Sequence, residues 1–539
     1  MPASPGFRSQ SFAEVKVLSE GVWRSASGIT LILPLALAPG SFADRGQIAG
    51  TASLQSRRTG EPCWGAFPFQ RELLVSHVSK HLAPGGDGAS GRVYSLTKAQ
   101  VAWLNGPPSA HAVWSFRLDR NRSVPFTITR AHLFLFVQDI AFVGIEVQPS
   151  SDSLADWLDV AHYARFYGSD RAPEVVLTGG DMRGFRAVVD LFIGQGLAAP
   201  QDREDGQLEI RMHGLRSLFA ALLATMSRPG EAPHQLGPHP DAWMGPLGVP
   251  AQMLSYSILT LAGDDQLCEA VMPWVAGTHH SRQDVSTRVD LDAVTVGRMR
   301  YGENETFVIS GEGAAFVAVR PPEVVASPSS FQSSTLSAHV RSDYLFAYIF
   351  SAYQRYALMR LSDEVAASVA ADAQDLRPVH ERVLKFTALG LFEQISHSQH
   401  HHAFYRKARA VHQVRELHRE VRDEVEALYD WQRFLASEQT AAFQAEQQRL
   451  ADAEAKRSAT DQKRLERRSR FIEVSLAVLT AIVVPMQLVA ALFPSSVSQW
   501  PYLKNVGVSA QAYGALALVV LILVTMLATV WLSGRGRYK

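Results

Sequence analysis

Two long apolar runs close the sequence, and they constrain the fold more than anything before them. Phe471 to Phe493 reads FIEVSLAVLTAIVVPMQLVAALF, and Ala512 to Ser533 reads AYGALALVVLILVTMLATVWLS. Each exceeds about 20 residues, which at about 1.5 Å per residue covers a hydrocarbon core about 30 Å thick. A helical hairpin buried in a soluble domain is the other way to hide such runs. Soluble core helices rarely run so long with so little polarity on any face, so two transmembrane helices are expected, 471–493 and 512–533, joined by an outer loop, 494–511.

Flanking charge sets the orientation. KRLERRSR (Lys463 to Arg470) precedes the first run, RGRYK (Arg535 to Lys539) follows the second, and the link between them carries one Lys and no Arg. Basic residues stay on the cytoplasmic side, which makes this a multi-pass protein of the inner or plasma membrane with both termini cytoplasmic. Trp500, Tyr502 and Tyr513 suit an interfacial aromatic belt. The amino-terminal MPASPGFRSQSFAEVKVLSEG has no basic start and apolar core, so no secretory signal is expected. Basic and acidic residues balance at 52 each, which implies no nucleic-acid partner. Two cysteines, Cys63 and Cys268, without a CxxC, argue against a disulfide scaffold or a cysteine zinc site.

Ahead of the membrane lie two further regions. Val414, Leu417, Val421, Val425, Leu428, Trp431 and Leu435 recur at steps of three and four, an apolar stripe on one helix face. The polar stretch after it has no Gly or Pro before the first run, so a long stalk helix is expected to enter the bilayer directly. Thr335 to Ala371 reads as an earlier, aromatic-rich helix, set off from the stalk by Pro378. The region 331–470 is thus helical, and 1–330 reads as a cytoplasmic α/β domain. In that domain, His132 to Pro149 has the pattern strand, tight turn at Gln138-Asp139, strand, then the helical SLADWLDVAHYARFY. Glu305 to Pro322 repeats strand, Gly-rich turn, strand; the echo is either a mark of two related halves or a coincidence between apolar hairpins. The fold class expected is an α/β cytoplasmic domain, a long α-helical stalk, two C-terminal transmembrane helices and a basic tail, 534–539.

Catalytic constellations are missing from the sequence: no GxSxG, HExxH, EF-hand loop or GxGxxG after a strand. GGDGASGR (Gly85 to Arg92) reads as a flexible loop, since Arg replaces the P-loop Lys and no helical sequence comes after it. The chain is therefore read as a non-enzyme, with no required cofactor. One cluster stands out, SHSQHHH. On a helix His397, His400 and His401 would share a face and hold a transition metal; the alternative is a solvated His-rich turn at a helix end.

The order of body, stalk, span, short outer link, span and basic tail resembles the CorA family of divalent-cation channels and transporters. The local match is VLTAIVVPMQLVAALF, similar to that family's first span: an apolar run, a Pro, a polar residue two positions on, then a small and apolar stretch. The resemblance implies a funnel-shaped homopentamer with the first span lining a pore. The family's Gly-Met-Asn triplet at the outer end of that span is replaced here by FPSS, Phe493 to Ser496.

Polar residues in a span tend to face a bundle interior or a water path. Glu473, Thr480 and Gln487 are spaced by seven, the period that keeps one face inward in a supercoiled bundle. With Ser495 and Ser496 they form the expected pore lining, and Pro485 an expected bend, since it frees the carbonyl of Ala481. Helix–helix hydrogen bonds in a closed bundle are the alternative for Thr480 and Gln487, and a pair with an arginine the alternative for Glu473. Oxygen-bearing rings suit Mg²⁺, which holds its water shell. The basic KRLERRSR would repel cations unless it faces anionic headgroups. Two functions are compatible with this pattern: a homo-oligomeric channel or transporter for Mg²⁺ or a transition metal, that ion being transported or regulatory; alternatively, a membrane effector without magnesium selectivity, opened by a small cytoplasmic ligand. The lipid bilayer and further copies of the chain are the expected partners.

Overall fold

The computed structural model describes residues 14–36, 64–68, 71–81, 91–106, 112–119, 121–166, 173–179, 201–202, 208–215, 218–219, 252–278, 296–370, 377–492 and 508–535. Within them the chain forms two compact units, Met1–Asp430 and Trp431–Lys539.

The first unit is built on a mixed sheet of thirteen strands. Its centre holds β1 (Gly28–Ala36), β2 (Ser123–Phe136), β3 (Ile140–Pro149), β4 (Leu254–Ala262), β5 (Glu305–Ser310) and β6 (Gly313–Arg320), in the spatial order β5-β6-β4-β1-β3-β2. The sequence GITLILPLA of β1 is apolar on both faces because both faces are covered. Ile29, Leu31, Leu33 and Leu35 enter one core, and Ile32 the other. Pro34, which has no N–H, sits where β1 has run past its pairing with β4, which ends at Ile32↔Leu254.

Two helix layers sandwich this sheet. On one face lie α1 (Leu154–Tyr163) and α2 (Asp265–Thr278). Cys268, Val271, Met272, Val275 and Ala276 give α2 a buried stripe at helical spacing. On the other face lie α3 (Leu345–Ala370), α4 (Arg377–Leu389), α5 (Gln399–Val411) and the start of α6 (Val414–Leu492). Phe346, Tyr348, Phe350, Tyr353 and Tyr356 of α3 are buried among aliphatic residues, and Tyr353 stacks on Phe136 of the sheet with ring centroids 4.3 Å apart. Residues 331–430 therefore share a core with the sheet, and the change from sheet to helix near 330 does not divide compact units. Pro378 lies in the first turn of α4, and Gln413, at φ 54°, separates α5 from α6.

The hairpin expected around Gln138-Asp139 is present. Both residues take positive φ, 70° and 55°, the conformation that a tight turn between twisted strands requires. Arg360 of α3 donates to the carbonyl of Asp139 at 3.1 Å, which ties the turn to the helix layer. The second hairpin, β5–β6, is also as expected, but the two are not placed alike. β3 runs antiparallel to its neighbour β1, whereas β6 runs parallel to β4, so strand direction breaks the symmetry that two related halves would carry. GGDGASGR lies outside the described residues up to Ser90.

The second unit holds the remainder of α6 and α7 (Val508–Arg535). The absence of Gly and Pro between Val414 and Val484 lets α6 run unbroken for 79 residues. Among the described residues α6 is the one helix long and apolar enough to cross a membrane, and none of its most apolar stretch is buried within the chain. The outer link up to Gly507 and the tail beyond Arg535 lie outside the described residues.

Candidate functional site

The carboxyl-terminal part of α6 carries the residues expected to line a path. Glu473, Thr480 and Gln487 all lie in the helix and all are exposed. Thr480 donates its hydroxyl to the carbonyl of Leu476 at 2.7 Å, a local bond that satisfies the donor and leaves the oxygen's lone pairs outward. Pro485 sits inside the helix, which continues beyond it to Leu492; the carbonyl of Ala481 cannot receive an N–H from position 485. Ser495 and Ser496 fall outside the described residues.

The helix also assigns a face to a residue absent from the expected lining. Glu466 stands seven before Glu473, and at about 100° per residue Glu466, Glu473, Thr480 and Gln487 drift by only about 20° per step. Its signal in the sequence is masked by the arginines of KRLERRSR; the heptad count extended backward finds it. Small residues accompany this stripe, Ala477 between Glu473 and Thr480 and Ala491 after Gln487. Several bulky side chains lie on the opposite arc, while Leu476 and Val484 flank the polar stripe itself. Phe471, Val474, Val478 and Ile482 are 74%, 61%, 51% and 55% exposed, far more apolar surface than a soluble helix leaves to water.

The histidine cluster is arranged differently from the expectation. Ser398 is the N-cap of α5, with φ −70° and ψ 125°, so His397 precedes the helix and does not share a face with His400 and His401. The peptide N–H of His397 instead donates to the carbonyl of Leu73 at 2.8 Å. His400 lies against Tyr301, and His401 is buried edge-on to Tyr344 with centroids 4.5 Å apart. Burial, with His339 and His400 nearby, lowers the pKa of His401 to about 4, so the ring is neutral at pH 7. No group of three metal-ligating side chains forms among the described residues. His401 is a packed core residue, whereas His400 stays exposed at the start of the helix.

A buried ionic centre in the body gave no sequence signal. Arg341 lies in a wide π-turn, Val340–Tyr344, just before α3, and is 3% exposed. Its Nε donates to both carboxylate oxygens of Glu146 on β3 at 3.0 Å, its Nη2 donates to the carbonyl of Ser27 at 2.9 Å, and its Nη1 to that of Ser25. Thr129 adds a hydroxyl bond to Glu146 at 2.9 Å. A bulge in β2 aims that threonine: register shifts between Ile128 and Arg130, and the residues facing the α1–α2 core change from even (Val124, Phe126, Ile128) to odd (Ala131, Leu133, Leu135). Burial alone would raise the pKa of Glu146, but the charges of Arg341 and Arg130 and the hydrogen bonds outweigh it and hold the carboxylate ionised. The centre pins the β1–β3 pair to the helical segment 340–370. It is closed, and nothing in its geometry presents it to a ligand.

No protein-family model matches the chain, and no curated protein does. Among solved structures, the complete structure of the CorA magnesium transporter from Methanocaldococcus jannaschii is similar over 53% of this chain and 92% of that chain, at 12% identity and a TM-score of 0.14, a likeness too slight to assign a fold.

Proposed function

We propose that the chain is a homo-oligomeric, CorA-like membrane channel or transporter for divalent cations, with α6 crossing the bilayer and its Glu466-Glu473-Thr480-Gln487 face lining the path. One observation carries this reading: an unbroken helix whose most apolar stretch is not buried within the chain and carries Glu473, Thr480 and Gln487 on one face, at seven-residue steps. A monomer would set those groups against lipid, at a cost of a few kcal/mol for an ionised one; several copies that turn the face inward give each group water or a partner. In that assembly the glutamates form acidic rings where cations arrive, and Thr480 and Gln487 supply oxygens to a hydrated ion. The second apolar helix, α7, returns the chain to the cytoplasm. The body then acts as gate or sensor.

FPSS in place of Gly-Met-Asn favours a second reading, in which the same membrane module serves a ligand-gated effector without magnesium selectivity. Cation flux into proteoliposomes of the full-length chain separates the two, with Mg²⁺, Zn²⁺ and Co²⁺ tested singly against the variant Gln487→Leu. Flux that the substitution alters supports transport along this face. Absence of flux for every ion overturns the transporter reading and directs attention to a cytoplasmic ligand.

A further inference from the structure

The five basic residues just before the apolar stretch of α6 are Lys463, Arg464, Arg467, Arg468 and Arg470. All are exposed, and none forms an ion pair with a described residue. Their placement around the helix is not uniform. At about 100° per residue they occupy an arc of about 160°, whose centre lies about 140° from the centre of the Glu466-Gln487 stripe. The acids of the neighbourhood sit apart from that centre: Glu466 on the polar stripe, Asp461 at the far edge of the basic arc.

The surface adjoining the arc toward the carboxyl end of α6 identifies its partner. One to three turns further on, the same side of the helix carries Phe471, Val474, Val478 and Ile482, all exposed. A surface that is cationic over its first turns and then bulky and apolar matches one kind of molecule end to end, an anionic phosphate head on a hydrocarbon tail. A free phosphate would use only the first half of it. We infer that this arc of α6 is a binding surface for anionic phospholipids of the leaflet adjoining the body. The inference rests on the reading that α6 crosses the bilayer, and it deepens that reading. It also removes a conflict within it, because the charges that would repel a cation at the mouth are turned into the lipid while the carboxylates face the path.

The test uses the full-length chain in phosphatidylcholine vesicles containing trace spin-labelled phosphatidylglycerol or spin-labelled phosphatidylcholine. The motionally restricted fraction gives the relative association constant of each lipid with the protein. At low salt phosphatidylglycerol is expected to associate about fivefold more strongly than phosphatidylcholine, with the ratio falling toward one as salt rises to about 0.5 M. Arg467→Gln/Arg468→Gln should lower the ratio, Glu466→Gln should not, and the fivefold Lys/Arg→Gln variant should bring it to one. Equal association in the unaltered chain, or a preference that survives the fivefold variant, overturns the inference. So does full competition by millimolar inorganic phosphate, which would mark a bare anion site. Alkaline carbonate washing distinguishes the two levels of failure: a chain stripped from vesicles refutes the membrane reading and this inference with it, whereas a retained chain without lipid preference refutes this inference alone.

Discussion

Arg341→Met removes the hub of the body's ionic centre, and the structure sets the size of the effect. The guanidinium and Glu146 are each about 3% exposed by side chain, so water cannot replace what is lost. Glu146 would keep the Thr129 hydroxyl bond and the charge of Arg130, while the carbonyls of Ser25 and Ser27 lose a donor. Breaking a buried pair by removing one partner costs about 3–5 kcal/mol. Arg130, half-buried and still near the carboxylate, places the expected loss at the lower end, about 3 kcal/mol, or about 100-fold in an opening equilibrium. Hydrogen exchange on the detergent-solubilised full chain reads this directly as protection of the amides in β1 and β3. The double variant Glu146→Leu/Arg341→Met removes both charges and should retain more protection than Arg341→Met alone. Neutral pH is the right condition, by sign: Glu146 has a folded pKa below its ordinary value, so its contribution is present above the unfolded pKa and is lost as pH falls through the folded one. A loss below about 1 kcal/mol in the single variant, or a double variant less protected than Arg341→Met alone, would refute the reasoning.

Two further perturbations test the packing around this centre. A Cβ at Gly28 would stand 2.6 Å from Oε1 of Glu146 and 3.0 Å from Nη2 of Arg341, so Gly28→Ala should cost about 1–3 kcal/mol, read as a fall in thermal midpoint; an unchanged midpoint would show that the centre yields easily. Burial lowers the pKa of His132 to about 4, and burial with Arg355 nearby lowers that of His412 to about 3. His412 is neutral, its Nδ1–H donating to Ser351 (2.9 Å), whose own proton goes to the carbonyl of Tyr348 (2.8 Å). Each ring binds a proton more readily unfolded than folded, so stability should decline as pH drops from about 6.5 toward 4, by about 1.4 kcal/mol per pH unit for each histidine. Urea midpoints measured across that range should slope accordingly, and a flat profile would contradict the buried placement.

Much of this architecture could be read from local pattern. The β2–β3 hairpin announces itself through two apolar runs around Gln138-Asp139, because turn chemistry and strand alternation act over a few residues. Likewise α6 is legible from an absence, no Gly or Pro for some twenty turns. What resisted reading depends on contacts between distant residues. Glu146 and Arg341 are 195 positions apart, and neither has a local feature that predicts its partner. The parallel β4–β6 pair is set by a crossover through α2, not by the hairpin that resembles β2–β3. A boundary near 330 looks natural because composition shifts from strand to helix there; the aromatic side chains of α3 instead complete the sheet's second core. His397 is misplaced by periodicity for a small reason: Ser398 caps the helix, so the first helical residue is Gln399 and His397 falls before it. On the site side, spacing by seven is legible, but Glu466 is obscured by the surrounding charge until the helix separates the two arcs.

The most direct test of the path is thiol labelling of the membrane-embedded chain. With Cys63 and Cys268 replaced by Ala, cysteines are introduced singly at Thr480, Gln487, Val478 and Ile482, and a membrane-impermeant reagent is applied to proteoliposomes. Rapid labelling at 480 and 487, with 478 and 482 protected by lipid, is the predicted result. Equal labelling at all four positions, or faster labelling at 478 and 482, would contradict a water-filled path along this face of α6.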